Sequence, residues 1–311
     1  MKIIFFGTPE FAATILEELI KSNLKPILVV TSPDKPVGRK QVITSPPVKV
    51  LAEKYSIPAL QPEILEIPDF RLIFSNSQPD LVVLAAYGPP FLTKEFLAIP
   101  KYGCLNVHPS LLPKYRGASP IPHTILNGEK ETGVTIIRMS EKVDRGDILA
   151  QEKTEVSSDE TTPTLTAKLA SLGAKLLVKT IPLLLQGRIA PLAQTDSPTP
   201  YCYQLKKEQG RINWQKSADD LERQIRAFDP WPGTYALFAG KILKILRACV
   251  ITEMKPQSPP GFVFLTPDRR VAVQTGQGSL VIEMVQLEGK KALPAPEFLR
   301  GHKEIIGQIL K

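Results

Sequence analysis

Along the first half of the chain, short runs in which nearly every position is apolar alternate with stretches in which apolar residues recur every third or fourth position. The runs are residues 2–6, 27–30, 81–86 and 104–108. Uninterrupted apolar runs of this length mark strands buried on both faces. After the first run, Phe11, Ile15, Leu16 and Leu19 fall on one face of a helix expected over residues 10–21, with Thr8 as its cap and Pro9 at its first position. The alternation predicts an α/β fold built on a parallel sheet covered on both faces. A further buried strand is expected over 134–137, and a long helix over 165–185 closes this first domain.

The pattern changes after Gly187. Residues 188–204 carry Pro191, Pro198 and Pro200 and show no period, the composition of a linker. Ser217-Ala218-Asp219-Asp220 then forms a capping box for a helix through Ala227. Short strands follow over 234–238, 242–251, 261–265, 271–274 and 279–285. Five short strands at this spacing predict a small barrel of the oligonucleotide-binding type. The expected division is a Rossmann-like domain over 1–188, a linker over 189–205 and a β-barrel domain over 206–311.

Charge sharpens this division. Residues 1–205 hold 22 Lys and Arg against 20 Asp and Glu, net +2, whereas residues 206–311 hold 17 against 11, net +6. A basic excess concentrated in the smaller domain favours a polyanionic partner. The longest apolar stretch, near residues 81–86, ends at Tyr87-Gly88-Pro89-Pro90, well short of the roughly 20 residues a membrane span needs. The expectation is a cytoplasmic protein without a membrane contact or an obligatory protein partner. Cys104, Cys202 and Cys249 lie far apart, so neither a disulfide framework nor a metal site is expected. Gly7-Thr8-Pro9-Glu10-Phe11 follows the first strand but lacks the G-x-G-x-x-G spacing of a dinucleotide loop.

Candidate chemistry gathers at the end of the fourth run, Cys104-Leu105-Asn106-Val107-His108-Pro109-Ser110-Leu111-Leu112-Pro113-Lys114-Tyr115-Arg116-Gly117. Alternation along a strand points Asn106 and His108 to the same side. Val143-Asp144-Arg145-Gly146-Asp147, beyond the strand at 134–137, can return a carboxylate to them; Asp147 reads as a turn residue. An amide donor, an imidazole and an orienting carboxylate suit chemistry on a carbonyl. His123 reads as structural, and His302 has no evident partner. Trp231, in Asp229-Pro230-Trp231-Pro232-Gly233, reads as packing in a rigid corner, with stacking on a base as the alternative.

Several stretches, taken in order, resemble the methionyl-tRNA formyltransferases, a family of folate-dependent formyltransferases. They are Ile3-Ile4-Phe5-Phe6-Gly7-Thr8-Pro9-Glu10-Phe11-Ala12, Pro33-Asp34-Lys35-Pro36-Val37-Gly38-Arg39, the run from Asn106 to Gly117, Glu131-Thr132-Gly133-Val134-Thr135 leading to Asp144, and residues 221–228 with Pro230-Trp231-Pro232. The resemblance implies a Rossmann-like formyltransferase domain and a tRNA-binding barrel. It implies 10-formyltetrahydrofolate as formyl donor, no metal, and the amino group of initiator methionyl-tRNA as acceptor. By position, Asn106, His108 and Asp144 take the catalytic roles, Ser110, Leu111, Leu112 and Pro113 contact the folate, and Lys35, Arg39 and Lys40 on the loop 33–46 approach the tRNA. Pro109 stands where the family places a small residue. Two rivals are a formyltransferase acting on a small sugar or nucleotide amine and a non-catalytic RNA-binding module. The basic second domain argues against the first, and the Asn106, His108 and Asp144 set against the second.

Overall fold

The structure, a computed structural model, describes all residues except 39–40, 66–67, 89–91, 196–200 and 253–257, and leaves the side chains of 68–70 aside. The chain divides into two compact units. The first is Met1–Pro120, Glu131–Glu155 and Thr166–Cys202; the second is Ile121–Lys130, Val156–Leu165 and Tyr203–Lys311. In chain order the elements up to residue 185 are β1 (Ile3–Gly7), α1 (Glu10–Lys21), β2 (Leu28–Val30), β3 (Lys35–Val37), β4 (Val42–Thr44), α2 (Pro47–Lys54), β5 (Ala59–Leu60), α3 (Pro68–Ser77), β6 (Leu81–Ala85), α4 (Lys94–Leu97), β7 (Cys104–His108), α5 (Pro120–Leu126), β8 (Glu131–Arg138), β9 (Ile148–Glu155) and α6 (Thr162–Leu185). Then follow α7 (Ala218–Ala227), β10 (Thr234–Phe238), β11 (Lys241–Ile251), β12 (Val263–Leu265), β13 (Val271–Gln274), β14 (Ser279–Leu287), β15 (Ala292–Pro294) and α8 (Ala295–Gly301).

In the first unit a seven-stranded sheet runs β5-β2-β1-β6-β7-β8-β9. β5, β2, β1, β6 and β7 are mutually parallel, as the apolar runs predict. Every residue of β1, β6 and β7 is buried. Phe6 meets Phe74 and Tyr87 edge-on on one face of the sheet, with ring centroids 6.2 and 5.3 Å apart. The strand order reverses between β1 and β6, and such a switch point opens a crevice at the carboxyl ends of the strands. His108 is the last residue of β7, beside that crevice.

Two expectations are corrected here. The strand over 134–137 belongs to β8, which runs antiparallel to β7, with His108 opposite Thr135 and Asn106 opposite Ile137. β9 is antiparallel again, so the sheet is mixed. An apolar run reports burial and carries no information about direction. Likewise Thr8 does not cap α1: Pro9 occupies that position, and its carbonyl accepts from the Ala12 and Ala13 amides. The Thr8 hydroxyl pairs with that of Ser32 at 3.1 Å instead. Gly7 is needed for close packing, because a Cβ there would lie 2.5 Å from the Ala12 Cβ.

The second unit is an antiparallel half-barrel, β10-β11-β14-β13-β12, with β15 added to β14. A register shift around Arg247 in β11 marks a bulge, a device that bends a strand. The sheet wraps an apolar core that includes Leu243, Ile245, Val273, Ile282, Phe298 and Leu310. The edge strands do not pair with each other. Residues 307–311 bridge them: Lys311 and Leu237 exchange backbone hydrogen bonds, and Val263 bonds to Gly307 and Gln308. Ser217 caps α7 as its sequence predicts, its hydroxyl accepting from the Asp220 amide. His302 gains partners invisible in the sequence, stacking on Phe298 with centroids 4.5 Å apart. Trp231 is 52% exposed, which overturns its reading as a packing residue; flanking prolines fix a corner without requiring the ring to turn inward.

Leu310 places a buried side chain between the two strand edges. Leu310→Ala should lower stability by about 2–5 kcal/mol, the range for a buried leucine truncation, measured by denaturant titration. A loss below about 1 kcal/mol would show that the edges do not depend on this plug.

Candidate active site

Asn106 and His108 stand on the same side of β7, as strand alternation requires. Opposite them is Asp144, delivered by the turn between β8 and β9. Its Oδ1 accepts from Asn106 Nδ2 at 3.2 Å and lies 3.6 Å from His108 Nδ1. Its Oδ2 accepts from the Gly117 amide at 2.9 Å. The second ring nitrogen of His108, Nε2, lies 2.9 Å from the Tyr115 carbonyl oxygen. Both imidazole nitrogens thus face oxygen atoms, Nε2 at hydrogen-bond distance and Nδ1 at ion-pair distance. The side chains of His108 and Asp144 are only 5% and 10% exposed. Of the two carboxylates near this turn, it is Asp144 that the fold brings to Asn106 and His108.

Two backbone conformations hold this cluster. Asp144 has φ +52, a left-handed conformation that costs an ordinary residue roughly 1–2 kcal/mol and that aspartate tolerates better than most. Gly117 has φ +116, and a Cβ there would lie 2.5 Å from the Cys202 carbonyl oxygen and 2.8 Å from the Tyr201 ring. Cys202 itself is chemically quiet, since burial pushes its thiol up to about 12. Its backbone does the work: the Cys202 amide donates to the Arg116 carbonyl and the Ala118 amide to the Cys202 carbonyl, both at 2.7 Å. The linker reading of 188–204 therefore misses part of the site. Leu192 exchanges backbone hydrogen bonds with Ile148, and Gln194 reaches Arg116 and the Asp144 turn. Nothing in its aperiodic, proline-rich sequence singles out Gln194.

The loop after His108 is tied down from within. The Ser110 hydroxyl donates to the Lys114 carbonyl at 2.7 Å, and Leu112 is buried against Ile137 and Ile148. Leu111 and Pro113 keep partial exposure. Thr135, fully buried on β8, donates to the Ser110 carbonyl and accepts from the Leu112 amide and from Gln151. These two polar side chains are a support that motif reading did not find.

The loop 33–46 contains the two-stranded hairpin β3-β4, in which Lys35 is exposed and pairs with Thr44. Arg39 and Lys40 lie outside the described residues. Asp34, at the hairpin base, accepts from Lys49 at 2.8 Å, from Gln61 at 2.7 Å and from Ser45 at 3.2 Å. Those bonds, Lys49 foremost, hold its carboxyl below the usual carboxylate range. Among the described residues, no group of three or more His, Cys, Asp or Glu is placed to hold a metal ion.

A mixed α/β sheet that presents an amide, an imidazole and a carboxylate at a strand end carries the groups of an enzyme acting on a carbonyl. Family comparison sharpens this: residues 1–181 match the formyl transferase family and residues 204–303 match the formyl transferase C-terminal domain. Methionyl-tRNA formyltransferases of Citrifermentans bemidjiense and Bacillus cytotoxicus are 44% and 42% identical to this chain. They align with all of it and with 96% and 98% of their own lengths. The chain belongs to the formyl transferase family, in its methionyl-tRNA formyltransferase branch. Among solved structures, WlaRD, a sugar 3N-formyl transferase, superposes with TM-score 0.66 at 20% identity over 94% of this chain and 99% of its own. HypX from Aquifex aeolicus, solved with tetrahydrofolic acid, gives TM-score 0.65 at 18% identity over 99% of this chain and 48% of its own. At these identities they share the fold.

The crowding at Gly117 makes a direct test. Gly117→Ala must displace the Cys202 carbonyl or the Gly117 amide that holds Asp144, so turnover should fall by about 10-fold or more, as misplacement near the reacting atoms does. Steady-state kinetics and a melting curve together check this, and wild-type turnover would show that the Gly117 bond is dispensable.

Proposed function

We propose that this enzyme transfers the formyl group of 10-formyltetrahydrofolate to the amino group of methionyl initiator tRNA, with Asn106, His108 and Asp144 as its working groups. The observation that carries the reading is the convergence of those three side chains at the end of β7, in a chain 41–44% identical along its length to several methionyl-tRNA formyltransferases. Attack of the uncharged amine on the formyl carbon places negative charge on oxygen. Asn106 spends one N–H on Asp144 and keeps the other for that oxygen. His108 becomes the second donor when its Nε2 N–H passes from the Tyr115 carbonyl to that oxygen, and each such donor is typically worth on the order of 10²–10³ in rate. Asp144 orients the imidazole and relays the proton lost by the amine towards the departing N10. Residues 110–113 are assigned to the folate, with Leu111 and Pro113 available on the surface of their loop.

The basic domain over 206–311 is assigned to the tRNA. Part of its charge is already committed within the second unit, since Arg223 donates to the Leu126 carbonyl and Arg226 to Glu222 and the Glu160 carbonyl. Arg247 and Arg270 are likewise paired, with Glu283 and Asp268, and the candidates for phosphate are the lysines and arginines outside such pairs. Lys35, Arg39 and Lys40 on the 33–46 loop are assigned to the acceptor arm. Among the described residues no helix is long and apolar enough to cross a membrane, and a tRNA substrate places the reaction in the cytoplasm. A sugar amine as acceptor is the second reading, favoured by structural neighbours such as WlaRD; 20% identity gives it less support than the full-length relatives give tRNA.

Formylation of charged initiator tRNA, with charged elongator tRNA and a nucleotide-linked amino sugar as controls, decides between them. Only the initiator should be a good substrate; preference for the sugar would overturn the reading. His108→Ala and Asn106→Ala should each lower kcat by at least about 10² while tRNA affinity stays within severalfold. Near-wild-type turnover at saturating folate would remove that residue from the mechanism.

A separate expectation concerns the loop. The planar fork of an arginine binds phosphate bidentately where lysine offers a point charge. Arg39→Ala should therefore raise KM for charged tRNA or lower kcat, leave KM for the folate unchanged, and be only partly rescued by Arg39→Lys. Equal damage to both substrates would count against a tRNA contact.

A further inference from the structure

Gln194 uses all of its side-chain hydrogen-bonding capacity beside the catalytic cluster. Its Nε2 donates to the carbonyls of Asp144 at 2.9 Å and Gly146 at 2.7 Å. Its Oε1 accepts from Arg116 Nε at 3.0 Å and Nη2 at 2.7 Å. The partners fix the amide's orientation, because two carbonyls demand donors and a guanidinium demands an acceptor. One side chain thus ties the turn that carries Asp144 to the segment that carries Gly117, and those are two of the elements between which the Asp144 carboxylate is held.

The turn needs such a tie. Asp144 sits in the left-handed region. Arg138 supports the far side of the turn, its amide donating to the Asp147 carbonyl at 2.8 Å and its carbonyl packing so closely on Gly146 that a Cβ there would lie 1.7 Å away. The described side-chain bonds to the carbonyls of Asp144 and Gly146 come from Gln194. The residues around Gln194 are themselves anchored, with Leu192 paired to Ile148 and the Thr195 carbonyl accepting from Arg116 Nη2 at 3.4 Å.

We propose that Gln194 is a positioning residue for formyl transfer: through its donors to the Asp144 turn and its acceptor for Arg116 it sets the direction of the Asp144 carboxylate towards Asn106 and His108. The stretch that composition reads as a tether is thereby part of the active site. The inference rests on the role given above to Asp144.

The test compares Gln194→Ala, Gln194→Glu, Asp144→Asn and the double variant Asp144→Asn/Gln194→Ala in the full chain. The measurements are kcat, both KM values, the pH–rate profile and thermal unfolding. Gln194→Ala should lower kcat by about 10-fold, the scale of an ångström-level misplacement, with both KM values within about 2-fold, and should alter the pH–rate profile in the same direction as Asp144→Asn. Gln194→Glu keeps the acceptor for Arg116 but sets a carboxylate against two carbonyls, so it should be as slow as the alanine variant. It also decides the question if the alanine variant is unfolded. The double variant should be no slower than Asp144→Asn alone. Unchanged kcat and pH profile in both Gln194 variants, with Asp144→Asn impaired, would overturn the role of Gln194 and leave that of Asp144 standing. Wild-type behaviour of Asp144→Asn would overturn both. Losses that multiply in the double variant would show that Gln194 acts elsewhere.

Discussion

A carboxylate removed from water must find donors for its oxygens, and the first unit is arranged so that Asp144 does. Leaving one such group unsatisfied costs several kcal/mol. Asp144 avoids this by drawing on β7 through Asn106 and on the loop after β7 through the Gly117 amide, with the His108 ring 3.6 Å away. Those groups lie 27 to 38 residues from Asp144 in sequence, so the cluster exists only where the sheet has brought the two segments together. The left-handed backbone at Asp144 and the Cβ-free Gly117 follow from the same demand, since both let the chain approach the carboxylate from directions a regular strand or helix cannot supply.

The mixed sheet sets the side from which that approach is made. If the strand after α5 had run parallel to β7, the turn following it would have opened at the His108 end of the sheet. Because β8 is antiparallel, its turn leaves from the opposite end, beside Leu105 and Arg138, and folds back over Asn106. The same reversal sets Thr135 opposite His108, where its hydroxyl can hold the 110–113 loop. A single change of strand direction thus serves both the carboxylate and the loop beside it.

How much of this was legible in the sequence depends on how local its cause is. Burial runs located β1, β6 and β7, and alternation put Asn106 and His108 on one side, because both rules act within a few residues. The N-cap at Ser217 was readable for the same reason. Strand direction at β8 was not, since antiparallel and parallel pairing bury the same side chains. Nor was Gln194, whose importance lies in carbonyls about fifty positions away and whose surroundings look like tether. Trp231 was misread because proline spacing constrains the backbone and leaves the ring free to face solvent. The resemblance to a family supplied what local rules could not, namely a role for Asp144 beside Asn106 and His108.

The chemistry of the cluster is indifferent to what carries the amine, since donors aimed at a formyl oxygen stabilise the same charge whether the acceptor is a sugar or an aminoacyl ester. Acceptor choice on the proposed function must therefore come from parts of the chain that the carbonyl chemistry does not need. The hairpin β3-β4 is one such part. Its two three-residue strands are exposed throughout, including Val37, Val42 and Ile43, and a two-stranded ribbon of this size has little stability of its own. Asp34 makes up for this at the base, joining the residue before β3 to Ser45 and Lys49 after β4 and to Gln61 beyond β5. On the proposed function this ribbon, anchored at its base and exposed along both strands with Lys35 on the first, is the part of the first unit that the carbonyl chemistry leaves for the acceptor.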